Sequence, residues 1–303
     1  MHEVVSSFPH SWTRCAVGGE TRFCSKCDCC HTLKPALGST PITGRSMVTG
    51  VKMSKLAFVE GTGSVRVLVL HGWALDSSIW HASRAETNLD RFTYAYLDFS
   101  GYGPDEGVRE PAQGIDGMAS EALAATDELG WDSFAILGHS MGGATALRVT
   151  TLAPDRVSSV VALTPVAPSG TPLDAETYEA FRSAFPNSGP TLGGLAPYLT
   201  PEQLRNIVSR SHLTMDQSIW DAYLSNWTGA DFANSLDRYS GPVTLVYGDS
   251  DPFVTKEYLA GTAAAMKQAD LVPIASAGHY PMVENAAAAV ALWEAALTDK
   301  NGK

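Results

Sequence analysis

The stretch FAILGHSMGGATALRV, residues Phe134 to Val149, sets a serine between a histidine and a methionine, with glycines on both sides. An apolar run leads into it, and a small-residue helical pattern leads out. Gly138-His139-Ser140-Met141-Gly142 fits G-x-S-x-G in the context that pattern needs, after a strand and before a helix. Such a turn crowds the backbone. Cβ atoms at Gly138 and Gly142 would clash with neighbouring elements, while Ser140 is pushed out at the carboxyl edge of a sheet. The N-terminus of the following helix turns its free N–H groups toward any negative charge that develops there. The plainer reading is a βα turn whose serine only caps a helix. Residues far downstream decide between the two.

A serine hydroxyl is a poor nucleophile at neutral pH unless a base takes its proton. Of the eight histidines, His2, His10 and His31 lie near the N-terminus, His139 sits inside the turn, and His81 and His212 carry no special signal. His279 stands apart, in the short loop SAGHYPMVEN between an apolar run and the last helical stretch. From there it can swing over the sheet edge that carries Ser140, and it is the expected base. The base needs a carboxylate that fixes its tautomer. Gly248-Asp249-Ser250-Asp251-Pro252 follows another apolar run and offers two. Asp251, beyond the turn, is the preferred partner; Asp249 is the alternative, or else a brace of the turn. Finally, LVLHGWALDSSIW puts His71-Gly72-Trp73 directly after the first long apolar run. The backbone N–H groups of Trp73 and Met141 can then face one point as oxyanion donors, each worth about 3 kcal/mol. The His71 side chain reads as a packed core histidine.

Short apolar runs at 65–70, 93–98, 133–137, 157–163, 242–247 and 270–274 alternate with helical patterns at 115–129, 142–152, 256–268 and 285–297. Strands this uniformly apolar suit a sheet covered on both faces, and the alternation predicts an α/β fold with a mostly parallel, doubly wound sheet. Residues 169–240 break the alternation with aromatic-rich helical patterning and read as an inserted helical cap. Residues 54–168 and 241–303 form the predicted core. Residues 1–53 show no period and read as a disordered, cysteine-containing tail.

Composition narrows the classes. The 303 residues are 45% hydrophobic and 17% charged, as in ordinary globular proteins. Residues 1–52 hold six of the 21 Lys and Arg and three of the 32 Asp and Glu, so the rest of the chain carries 15 bases against 29 acids. An acidic body repels phosphate backbones, which argues against nucleic acid as a partner. No apolar run is long enough for a membrane span, no secretory signal is evident, and a cytoplasmic location is expected. All five cysteines fall in the first 30 residues. Within CSKCDCCH a C-x-x-C pair with His31 could hold zinc, but a second ligand pair is missing, so no metal is expected. A start at Met47 or Met53 would remove this segment altogether.

Taken in order, the HGW element, DFSGYG at 98–103, GHSMGG, GDSDPF and AGHYPMVEN resemble the α/β-hydrolase superfamily, over about Lys55 to Leu297. The resemblance implies an α/β-hydrolase fold with a helical cap, in the serine-nucleophile, esterase-like branch. It implies a catalytic Ser140, Asp251 and His279, the order Ser…Asp…His being that of the superfamily. Some relatives take their acid from the end of the strand before the cap. Here ALTPVAPSG offers no carboxylate until Asp174, which favours Asp251. After DFSGYG the chain departs from the common pattern with Pro104-Asp105. The implied activity is hydrolysis of a small-molecule carboxylic ester or lactone through an acyl-enzyme, with no cofactor. Hydrolysis of a carbon–carbon bond in a β-diketone, or cofactor-free haloperoxidase-like chemistry, would use the same residues. A ligand receptor retaining them is the non-enzymatic alternative. Arg182, Arg205 and Arg210 in the insertion could meet a substrate carboxylate or form a solvated face.

Overall fold

Alternating apolar runs of five to seven residues become the strands of one seven-stranded sheet in the computed structural model. The structure describes residues 56–103 and 109–298, with the backbone of a hairpin formed by β1 (Arg14–Val17) and β2 (Glu20–Phe23). The chain divides into two units, Met1–Val51 and Lys52–Lys303. The hairpin belongs to the first. The CSKCDCCH segment and Pro104-Asp105 lie outside the described residues.

In the second unit the strands are β3 (Leu56–Glu60), β4 (Val65–Leu70), β5 (Phe92–Leu97), β6 (Phe134–His139), β7 (Val157–Leu163), β8 (Val243–Gly248) and β9 (Ala269–Ile274). They lie in the order β3-β5-β4-β6-β7-β8-β9. Every pairing is parallel except β3 with β5. The mostly parallel α/β sheet expected from the alternation is the one observed. Every residue of β6 is buried, as are the last four of β4 and the last five of β7. Side chains on both faces of these strands are therefore out of water, which is why alternation of polar and apolar residues is absent from them.

The helices are α1 (His81–Arg84), α2 (Gly114–Glu128), α3 (Met141–Leu152), α4 (Ala175–Ser183), α5 (Gly189–Gly194), α6 (Pro201–Thr214), α7 (Gln217–Thr228), α8 (Lys256–Ala265), α9 (Pro281–Glu284) and α10 (Ala286–Leu297). Ala and Leu dominate α10, both strong helix formers. Helix α6 begins with a reciprocal cap: the Thr200 side chain accepts from the Gln203 N–H, and the Gln203 side chain accepts from the Thr200 N–H. Helices α4 to α7 all fall between β7 and β8, inside the stretch that broke the alternation. None of the described helices is long and apolar enough to cross a membrane.

The site is positioned by one feature of this topology. The chain leaves β4 to form β5 on one side and returns to form β6 on the other. Leu70 of β4 sits beside Gly138 of β6. The loops leaving these two strands, 71–73 and 140–141, therefore open side by side at the carboxyl edge, where open α/β sheets bind their ligands.

Candidate active site

Ser140 occupies the bend between β6 and α3 with φ 52° and ψ −114°, a left-handed conformation that L-residues avoid. Surrounding bonds hold it there. Its N–H donates to Leu163 O at 2.9 Å, and its carbonyl accepts from Ala144 and Val166. The turn is too tight for side chains at its base. A Cβ on Gly138 would lie 2.3 Å from Gly142 O, and one on Gly142 would lie 2.4 Å from His71 O. Both clashes are with backbone, which cannot swing aside.

Three strands then contribute to one chain of hydrogen bonds. His279, in the loop after β9, has its Nε2 2.9 Å from Ser140 Oγ and its Nδ1 2.8 Å from Asp251 Oδ2. A carboxylate only accepts, so Nδ1 carries the proton and Nε2 presents a lone pair to the serine hydroxyl. Asp251 leaves β8 with a fully buried side chain, and its Oδ1 accepts from the N–H groups of Phe253 and Val254 at 2.8 and 2.9 Å. Asp249, two residues earlier, faces elsewhere. It accepts from Ser276, Ala277 and Ser250, and the Ser276 N–H, first among these, holds its carboxyl below the ordinary range. The structure brings Asp251, the carboxylate preferred from the sequence, to His279, and Asp249 braces the neighbouring loop.

The backbone N–H groups of Trp73 and Met141 open from the adjacent β4 and β6 ends. Among the described residues neither donates to a protein acceptor. The Trp73 indole is held away from that function: its Nε1 donates to Trp220 O at 3.0 Å, and its ring packs 4.0 Å from that of Trp220.

Two further histidines underlie the site as neutral groups. His71 Nε2 accepts from the Phe99 N–H at 3.1 Å while Nδ1 donates to Gly72 O at 2.8 Å, and burial drives its pKa down. His139 is fully buried, and burial, followed by repulsion from His279, pushes it well below the usual imidazole value. Its Nε2 donates to the His279 carbonyl at 2.8 Å, and Thr164 Oγ donates to the same oxygen at 3.0 Å. His139 is thus a packed histidine, as its place inside the turn suggests, and Thr164 belongs to no motif in the sequence. The one available signal was that Thr164 directly follows β7, at the same sheet edge as Ser140.

A cavity of about 20 Å³ lies over the Ser140 hydroxyl, roughly the space of one water. Trp73, Val166, Phe181, Leu195, Trp227 and Phe253 supply its apolar wall, four of them from the stretch between β7 and β8. A larger cavity, about 320 Å³, lies between residues 74–82 and α6; Arg210 lines it, and none of the predicted catalytic or oxyanion residues does. The arginines of the insertion are not at the Ser140 cavity. Arg182 pairs with Glu179 and Asp221, and Arg210 pairs with the buried Asp76 at 2.5 Å.

The family model described as Alpha/beta hydrolase family matches residues 67–292. A pimeloyl-[acyl-carrier protein] methyl ester esterase of Citrobacter koseri is 25% identical over 251 residues, spanning 75% of this chain and 91% of that one. An esterase of Mycobacterium tuberculosis is 30% identical over 214 residues, spanning 65% and 70%. Among solved structures, the enol-lactonase from Burkholderia xenovorans superposes with a TM-score of 0.67 at 20% identity, over 80% of this chain and 95% of that one.

Proposed function

The chain belongs to the alpha/beta hydrolase family, and from that premise we propose that it hydrolyses a carboxylic ester or lactone through an acyl-enzyme on Ser140. The observation that carries this reading is the continuous bond path from Ser140 Oγ through the His279 ring to Asp251, at 2.9 and 2.8 Å. His279 Nε2 takes the hydroxyl proton as Oγ attacks the acyl carbon, and Asp251 stabilises the imidazolium that results. The Trp73 and Met141 N–H groups receive the charge on the carbonyl oxygen. His279 returns its proton to the leaving alcohol, then activates the water that releases the acid. Esterase names among the sequence relatives support the substrate class; the likeness to the enol-lactonase is one of fold.

Residues 169–240 act in this reading as the cap over the nucleophile, since Phe181, Leu195 and Trp227 wall the cavity. In this reading an ester enters the narrow space over Ser140 by displacing these wall side chains. Residues 54–303 contain no cysteine, which fits work in the reducing cytoplasm. The test is release of p-nitrophenol from short-chain esters by the wild type and by Ser140→Ala. The substitution is expected to remove about 10⁴-fold or more of kcat, as loss of an activated nucleophile does elsewhere. Equal rates from the two proteins would refute the assignment.

A further inference from the structure

The imidazole over Ser140 sits on a loop whose backbone is tied down from two directions. The His279 carbonyl is held from below by His139 and Thr164. Its N–H points the other way and donates to Leu195 O at 2.9 Å, in the segment between α5 and α6. The loop that positions the base is thus bonded to the layer that covers the site.

Glu284, the last residue of α9, completes this attachment. Its Oε2 accepts from the Gly278 N–H at 3.0 Å and the Tyr280 N–H at 2.9 Å, the residues on either side of His279. Its Oε1 accepts from the Tyr198 N–H at 3.0 Å, in the same segment as Leu195. One carboxylate therefore receives three backbone N–H groups, two from the base loop and one from the covering segment. Burial raises its carboxyl above the ordinary range, and the three N–H bonds pull in the opposite direction. Only a group that accepts on both oxygens can serve both sides. An amide presents one accepting oxygen and one donating nitrogen, so it can serve the loop or the cover, never both.

We infer that Glu284 is a positioning residue, which couples the seating of residues 195–198 to the placement of His279 over Ser140. The role rests on the proposed function. With the cover seated, His279 is held at both ends of its peptide unit. With it lifted, the Leu195 and Tyr198 bonds break together, and the base loop keeps its bonds to His139, Thr164 and Glu284 Oε2 while Glu284 loses its hold on the cover. Productive geometry then forms when the substrate is enclosed, because a shift of about 1 Å costs roughly 100-fold in rate.

The experiment compares wild type, Ser140→Ala, Glu284→Gln, Tyr198→Pro and Tyr198→Ala by p-nitrophenyl acetate hydrolysis, thermal melting and proton NMR. The NMR readout is the downfield resonance of the proton between His279 Nδ1 and Asp251. Glu284→Gln is expected to lower kcat ten- to a hundred-fold and to broaden that resonance. Tyr198→Pro removes the covering N–H and is expected to move both readouts the same way by a smaller factor. Tyr198→Ala keeps that N–H and leaves both near wild type. Wild-type kcat with an unchanged resonance in Glu284→Gln overturns the inference; if that variant does not fold, the same result in Tyr198→Pro overturns it. Wild-type hydrolysis by Ser140→Ala would instead overturn the function, and the resonance would still report on the coupling.

Discussion

The two walls of the Ser140 cavity are held by different physics. The wall made by the strand ends is fixed by backbone packed on backbone: residues 138 and 142 have no room for a methyl group, and Ser140 keeps a left-handed conformation. The opposite wall is made by side chains: Phe181 on α4, Leu195 just after α5 and Trp227 on the well-buried α7. Helix α4, which carries Phe181, has no buried residue, while Tyr198 is 47% exposed and Leu213 65%. The first wall cannot move without unfolding. The second meets the first through side-chain packing and through bonds such as Trp73 Nε1 to Trp220 O and Tyr223 Oη to Ser100 O. A rigid strand-end half suits chemistry that needs fixed distances, and a half built of side chains can be reshaped by substitution to suit a substrate.

The largest effects are expected within the rigid half. Asp251→Asn, which leaves Nδ1 facing an amide, is expected to cut kcat by about 10⁴-fold, whereas Asp249→Asn, at the brace, leaves it within about threefold. Matching losses from both would show that the two carboxylates are not separated as their bonding indicates. Next in size, Gly142→Ala forces a methyl group toward the His71 and Leu70 carbonyls and is expected to cost about 3 kcal/mol of stability, read by denaturant titration. Wild-type stability would mean that this turn yields.

Acid should weaken the same half. His71 and His139 are neutral in the folded state, with pKa values driven below the ordinary 6.5. The unfolded chain takes up protons at both below about pH 6.5, so stability is fully present above that value and declines as the pH falls toward the folded pKa values. The slope reaches about 1.4 kcal/mol per pH unit for each histidine. Melting between pH 7 and 5 measures it, and a flat profile would contradict the two buried neutral rings. The smallest effect belongs to the other wall. Phe181→Ala widens the cavity and is expected to shift kcat/KM toward longer acyl chains by about tenfold relative to acetate, or about 1.4 kcal/mol. An unchanged preference would place the acyl group elsewhere.

Legibility followed the same division. Runs such as VRVLVL and FAILGH announce buried strands because both faces lose water, and the glycines at 138 and 142 announce a turn that excludes side chains. Ser140, His279 and the Asp249/Asp251 pair stood out because their positions after strands put them on one edge. The preference for Asp251 over Asp249 was also readable, because a residue beyond the turn reaches farther toward the histidine loop; which atoms each carboxylate meets was not. The bond from the His279 N–H to Leu195 O and the reach of Glu284 to the Tyr198 N–H left no trace in the sequence. Backbone donors and acceptors are the same at every residue, so a bond between them is invisible until the chain is folded. Arg210 was legible as a charge and not as an ion pair, because its partner Asp76 is 134 positions away.

At position 140 the fold asks for a glycine and the proposed chemistry asks for a hydroxyl. Holding a β-carbon at φ 52° costs on the order of 1 kcal/mol or more, a toll the neighbouring bonds absorb. The molecule therefore carries a built-in tension between durability and turnover. A lineage selected only for persistence would drift toward glycine at this corner and fall silent.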